Sequence, residues 1–203
     1  MTIILVDINK AMAFAWTREF QGMKDVQIQD GNIFDVKVGA LVSPANSFGI
    51  MDGGIDGKLR DFFGMEIERR VRQKIATEYY GELPVGAAIT TETGHEKYKY
   101  LISAPTMRVP EDVSTSLNAY LAMRAILVEC KKNHIDSVAI PGLAALSGRM
   151  DPKIVARQMR AAYDKIVLGR IIYTHWREEK LLQRYLMCET DILPDDLEDK
   201  AFF

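Results

Sequence analysis

The chain has 203 residues, 48% of them hydrophobic, with 26 basic and 28 acidic side chains and a formal net charge of -2. That is enough apolar material to bury a full core in one domain, and the balanced charge excludes a whole-molecule field that would hold nucleic acid or an anionic membrane. Two scattered cysteines and three histidines exclude a disulfide framework and a zinc site as the organising chemistry.

The apolar runs fall short of the roughly 18 residues that cross a bilayer. The opening MTIILVDINK carries neither a basic region nor a cleavage site, so the chain reads as a soluble protein of a reducing cytoplasm. One domain is expected over residues 1–188, followed by an acidic tail over 189–203.

In chain order, residues 2–6 form a first apolar strand. Asn9 can then cap a helix reaching Phe20, with Met12, Ala13, Trp16 and Phe20 at helical spacing. Val26 and Ile28 alternate with Gln27 and Gln29 in a half-exposed strand that runs into the turn Asp30-Gly31-Asn32-Ile33-Phe34.

The next stretch, GALVSPANSFGIMDGGIDGKLRDFFG over residues 39–64, organises the rest. Residues 39–42 suit a strand buried on both faces of a parallel sheet, and Pro44 stops it. Gly49, Gly53, Gly54 and Gly57, with Asn46, Ser47, Asp52 and Asp56, then let backbone amides line up around a ligand. A short helix over 58–63 follows, capped by Gly64. Strand, glycine-rich loop and helix place free N–H groups and a positive dipole end at the carboxyl edge of a sheet, which favours phosphate. The spacing matches neither the dinucleotide fingerprint nor the P-loop.

A helix over 65–80 puts Ile67, Val71, Ile75 and Tyr79 on one face and a solvated run of Glu66, Arg69, Arg70, Arg72 and Lys74 on the other. Strands over 87–91 and 98–103 are joined by a turn that exposes His95. The loop over 104–110 brings Arg108 to the sheet edge, either solvated or reaching a ligand phosphate. Ser114 can cap a helix over 115–132, in which Cys130 is a small structural thiol. A buried strand over 137–140 delivers the loop PGLAALSGRM, and Asp151 with Pro152 starts a helix to Val167. A last strand over 170–174 ends in Tyr173-Thr174-His175-Trp176, whose rings either wall a base pocket or pack under a helix over 177–187.

The run Leu41-Val42-Ser43-Pro44-Ala45-Asn46, followed by Gly53-Gly54-Ile55-Asp56-Gly57, resembles the signature of the macrodomain family of ADP-ribose-binding modules, in which an Asp follows the strand-closing Asn by ten residues. The likeness extends from about residue 29 to 164. It implies an α/β fold, a three-layer α/β/α sandwich with a mixed central sheet, and a single site at the carboxyl edge of the central strands.

The resemblance further implies that the turn at Asn32 and Ile33 meets adenine, with Asn32 standing where the family has Asp, the alternative being that Asn32 simply stabilises the turn. It implies a first phosphate loop through Ser47, Gly53, Gly54 and Ile55. A second runs through Leu143, Ala144, Ala145, Leu146, Ser147, Gly148 and Arg149. Apart from the resemblance, Tyr173 is a further ligand contact if the rings after the last strand wall the base pocket rather than pack under the helix. Family members usually carry more glycine in the second loop, often with an aromatic ring. Asn46 and Asp56 are the implied working pair: Asn46 holds a ribose hydroxyl, and Asp56 either activates water or caps the following helix. Asp52 falls where the family has glycine. The expected ligand is ADP-ribose or an ADP-ribosylated protein or small molecule, with no cofactor, metal, nucleic acid or membrane. The expected activity is hydrolysis of ADP-ribosyl linkages, the alternative a reader that binds without turnover.

Overall fold

A computed structural model describes residues 1–170 and 175–187. Strands β1 (Thr2–Asp7), β2 (Val26–Asp30), β3 (Ala40–Ser43), β4 (Ile89–Glu92), β5 (Tyr100–Ser103) and β6 (Ser137–Ile140) form one sheet in the order β2-β1-β6-β3-β5-β4. All neighbours are parallel except β4, which pairs antiparallel with β5 at one edge. The sheet is therefore mixed, as expected.

Helices α1 (Lys10–Glu19), α4 (Asn118–Lys132) and α5 (Pro152–Ile166) cover one face. Helices α2 (Gly54–Phe63) and α3 (Met65–Tyr79) cover the other. Period-two strand geometry divides the core between them: Ile3 and Leu5 of β1 face the first group, Ile4 and Val6 the second. Because both sheet faces are covered, β1, β3 and β6 read as continuous apolar runs with no polar alternation. The three-layer α/β/α arrangement follows.

Helix α6 (Trp176–Met187) lies on α5. Gln158 of α5, fully buried, donates to Ser116 O at 2.8 Å and Leu186 O at 3.0 Å and accepts from Tyr120 N at 3.0 Å, tying α4, α5 and α6 together. No helix among the described residues is long and apolar enough to cross a membrane.

Caps follow simple chemistry where the sequence marks them. Asn9 accepts from Ala11 N at 3.0 Å to start α1, and Asp151 accepts from Lys153 N at 2.8 Å with Pro152 in the first turn of α5. Three expectations need correction. Helix α2 begins at Gly54, not Lys58: Gly53 is its extended N-cap, and Gly57 N donates to Gly53 O at 2.9 Å. Asp56 therefore sits inside the first turn and is not the cap.

Helix α4 begins at Asn118 and Ser114 caps nothing. The preceding residues are held in turns by Asp112 accepting from Ser114 N, by Ser116 Oγ donating to Val113 O, and by Val113 N donating to Gly148 O. The strands expected over 87–91 and 98–103 begin two residues late, at Ile89 and Tyr100. The strand expected over 170–174 lies, beyond Arg170, outside the described residues, as do Cys188 and the acidic tail.

Candidate functional site

A cleft of about 490 Å³ opens where β1, β3 and β6 end. Parallel strands deliver all their carboxyl ends to one edge, so the loops after them meet there although far apart in sequence. Asn32 and Ile33, Asn46, Gly53 to Asp56, and Ala144 to Gly148 line this cleft together. Among the expected ligand residues, Tyr173 lies outside the described part of the chain.

The first loop is built by Asn46. Its Oδ1 accepts from Phe48 N at 3.0 Å and Ile50 N at 3.2 Å, and its Nδ2 donates to Ile50 O at 2.7 Å. The side chain expected to hold a ribose thus shapes its own loop, keeping one N–H free because an amide nitrogen has two. Ser47 does not line the cleft: it is buried, its N–H donates to Arg108 O at 3.1 Å, and its carbonyl accepts from Leu83 N. The amides free of partners among the described residues begin later, at Met51, and run through Asp56 into the first turn of α2, where helix geometry leaves N–H groups without acceptors.

The second loop supplies a facing row. Ala144 O accepts from Met150 N at 3.1 Å and Leu146 O from Arg149 N at 3.0 Å, while the amides of Ala144, Ala145, Leu146, Ser147 and Gly148 have no acceptor among the described residues. Ala144 and Arg149 both adopt positive φ, 60° and 55°. The loop therefore takes up left-handed conformations at residues other than glycine, which is how a glycine-poor sequence makes the turn. Two expected contacts are corrected here. Leu143 is wholly buried in the core, and the Arg149 side chain turns out toward Asp112, 3.9 Å away.

Asp7, at the end of β1, ties the start of the second loop to β1 and the start of α1 and is absent from the sequence expectations. Its Oδ1 accepts from Asn9 N and its Oδ2 from Gly142 N, both at 2.9 Å. A Cβ at residue 142 would lie 2.9 Å from Asp7 Oδ2 and 3.1 Å from Met12 Cγ, so a side chain there would push the Asp7 carboxylate off the Gly142 amide. The partners are 135 residues apart, and no local pattern announces the pairing. Asn32 Oδ1 accepts from Phe34 N at 3.1 Å, capping a 3-10 turn over Ile33–Asp35 that holds Asn32 at the cleft wall. Arg108 is not at the cleft. It pairs with Glu82 at 2.7 Å and lies over the Phe48 ring.

Charge at the site is dominated by carboxylates. Among the described residues, Asp7, Asp52 and Asp56 line the cleft with one cation, Lys58. An anion held here would rest on backbone N–H groups and the α2 N-terminus rather than on basic side chains. Asp56 is 9% exposed, and Ser43 Oγ of β3 donates to its Oδ1 at 2.5 Å. Burial pushes the Asp56 carboxyl up to about 6, against the lowering effect of the Ser43 hydrogen bond and with a further push from Asp52. Cys130, buried in α4, has its thiol pushed up to about 12 by burial and carries no reactive thiolate.

Comparison with known proteins agrees with this architecture. The macro domain family model matches residues 42–159, more than half of the chain. A protein of Aquifex aeolicus is 36% identical over 82% of this chain and 91% of its own. A macro domain-containing protein of Caldanaerobacter subterraneus subsp. tengcongensis is 38% identical over 39% of this chain and 44% of its own. Among solved structures, the macrodomain of Mycobacterium tuberculosis DarG superposes with a TM-score of 0.59 at 22% identity, covering 68% of this chain and 88% of that one. Thermosipho africanus DarTG in complex with ADP-ribose gives 0.57 at 16% identity, covering 78% and 45%. With strand order, cleft position and the Asn46 to Asp56 spacing all in place beneath these matches, the chain belongs to the macro domain family.

Proposed function

We propose that the protein binds ADP-ribose, or a related nucleotide derived from NAD, in this cleft and hydrolyses the bond joining ADP-ribose to an acyl or side-chain group. Two rows of unpaired amides along the cleft, 52–56 and 144–148, suit a diphosphate, since an N–H offers a partial positive charge to an oxygen without requiring a cationic side chain. Solved macrodomains of similar fold include one from Oceanobacillus iheyensis with ADP and Thermosipho africanus DarTG with ADP-ribose, which supports the choice of ligand.

The observation that carries the hydrolytic reading is the Asp56 carboxyl, lining the same cleft as both amide rows, bonded to Ser43 and raised to about 6. A base with that value is ionised at neutral pH yet more basic than an ordinary carboxylate. It takes a proton from water as the water oxygen bonds to the anomeric carbon of the distal ribose. The bond from that carbon to the departing oxygen breaks, and its electron pair leaves with the acyl or side-chain group. The free Nδ2 hydrogen of Asn46 is left to a ribose hydroxyl.

A reader without turnover is the second reading, and the use of Asn46 inside its own loop favours it. Calorimetry with ADP-ribose, adenosine and inorganic diphosphate, followed by release assays on ADP-ribosylated acidic side chains, separates the outcomes. Heat with ADP-ribose and release that Asp56→Ala abolishes while binding persists support the hydrolase. Heat without release supports the reader. Folded protein that gives no heat with any nucleotide overturns both.

A further inference from the structure

Resting on the hydrolytic reading, the geometry points to Ser43 as a positioning residue: its hydroxyl, 2.5 Å from Asp56 Oδ1, holds the carboxylate so that Oδ2 is the oxygen left to face the cleft and take the proton of the attacking water. Ser43 is 1% exposed, at the last position of β3, between β5 and β6. It shares the α2 side of the sheet with Leu41, because side chains alternate along the strand. Asp56 descends onto that face from the first turn of α2. The Oδ2 atom has no hydrogen-bond partner among the described residues, so the one contact that fixes the carboxyl's rotation is the hydroxyl.

Other groups around Asp56 do not replace it. Among the described residues, Asp52 on the loop, Asp7 at the end of β1 and Lys58 on α2 are the other charged groups lining the same cleft. The residues that β4, β5 and α3 turn to this face, Ile89, Thr91, Leu101, Ser103, Ile67, Val71 and Ile75, carry no charge. Ser103, register partner of Ser43 on β5, is buried with a hydroxyl that has no partner among the described residues, yet Asp56 is bonded to Ser43 and not to it.

Donation from a hydroxyl favours the ionised carboxylate, so its loss drives proton affinity up. Ser43→Ala should leave ADP-ribose affinity and KM within about twofold, because the phosphate-facing amides are untouched, and should lower kcat by roughly 10-fold to 100-fold. The acidic limb of the kcat/KM profile should move up in pH by roughly 0.5 to 1. Ser43→Thr, which keeps the hydroxyl, should return the limb toward the wild-type position.

The second readout does not require turnover. The carboxyl carbon of Asp56, assigned by its disappearance in Asp56→Asn, is titrated by carbon NMR in wild type and Ser43→Ala. An upward move in the variant supports positioning by Ser43 even if no substrate is cleaved, in which case the hydrolytic reading alone has failed. Superimposable titrations, or an unchanged kcat and pH profile in an active enzyme, overturn the proposal. Should Ser43→Ala not fold, Ser43→Cys gives the same comparison with a thiol that donates weakly, and an unmoved titration there overturns it equally.

Discussion

At the scale of single residues, the site's chemistry is carried by what is buried beside what. Because the folded-state value of Asp56, about 6, lies above its ordinary 3.8, the stability associated with its protonated form is fully present below about pH 4 and is lost as pH rises through 6. A displacement of about two in pKa corresponds to about 3 kcal/mol. Asp56→Asn should therefore stabilise the fold by up to about 3 kcal/mol at pH 7 to 8 and by almost nothing at pH 4. Melting curves of both proteins across that range check it, and a difference independent of pH would refute it. Asn32 offers a smaller test. Its Oδ1 already caps the 3-10 turn, a bond that Asp would keep, so Asn32→Asp should preserve stability and tighten ADP-ribose by about 1 kcal/mol or less, read by calorimetry. Weaker binding would show that this wall of the cleft does not meet the base.

Among elements, the second loop is the most constrained. A Cβ at residue 148 would lie 2.6 Å from Ala144 O and 2.7 Å from Val113 Cγ2, and because the first of these is backbone, relieving the clash means shifting the loop itself. Gly148→Ala should cost about 1–3 kcal/mol in stability. By displacing the 144–148 amides it should weaken ADP-ribose about 10-fold or more, measured by denaturant titration and calorimetry on the same protein. The buried amide of Gln158 makes a contrasting case away from the cleft. Gln158→Leu would strand Tyr120 N, Ser116 O and Leu186 O, and should destabilise by about 2–4 kcal/mol without altering the affinity of whatever folds.

For the whole molecule, ligand binding and folding are linked. If the cleft takes ADP-ribose only in the folded state, a concentration 100 times Kd should add about 2.7 kcal/mol and raise Tm by roughly 5–10 °C for a chain of this size. Adenosine at the same concentration should do much less, since it offers nothing to the amide rows. Equal shifts with adenosine and ADP-ribose would remove the diphosphate from the argument.

The elements of the fold were legible along the chain wherever the signal is local. The unbroken apolar runs of β1, β3 and β6, the caps at Asn9 and Asp151, and the Asn46 to Asp56 spacing each depend on residues a few positions apart, where propensity and pattern act. The start of α4 was not legible. Ser114 is a good cap by type, but Asp112 and Gly148 hold its neighbourhood in turns, and the second of these arrives from the far side of α4.

The same division runs through the site. Composition and spacing pointed to a glycine-rich loop with carboxylates at a sheet edge, and the family resemblance implied the second phosphate loop and the role of Asp56. Tertiary structure decided which amides remain free, sending Ser47 to Arg108 and Leu143 to the core, turning Arg149 outward and bringing Asp7 to Gly142 across 135 residues. It also decided the proton affinity of Asp56. A carboxyl's charge belongs to its sequence, but the burial, the Ser43 hydroxyl and the Asp52 charge that set its titration exist only once β3 and α2 have packed.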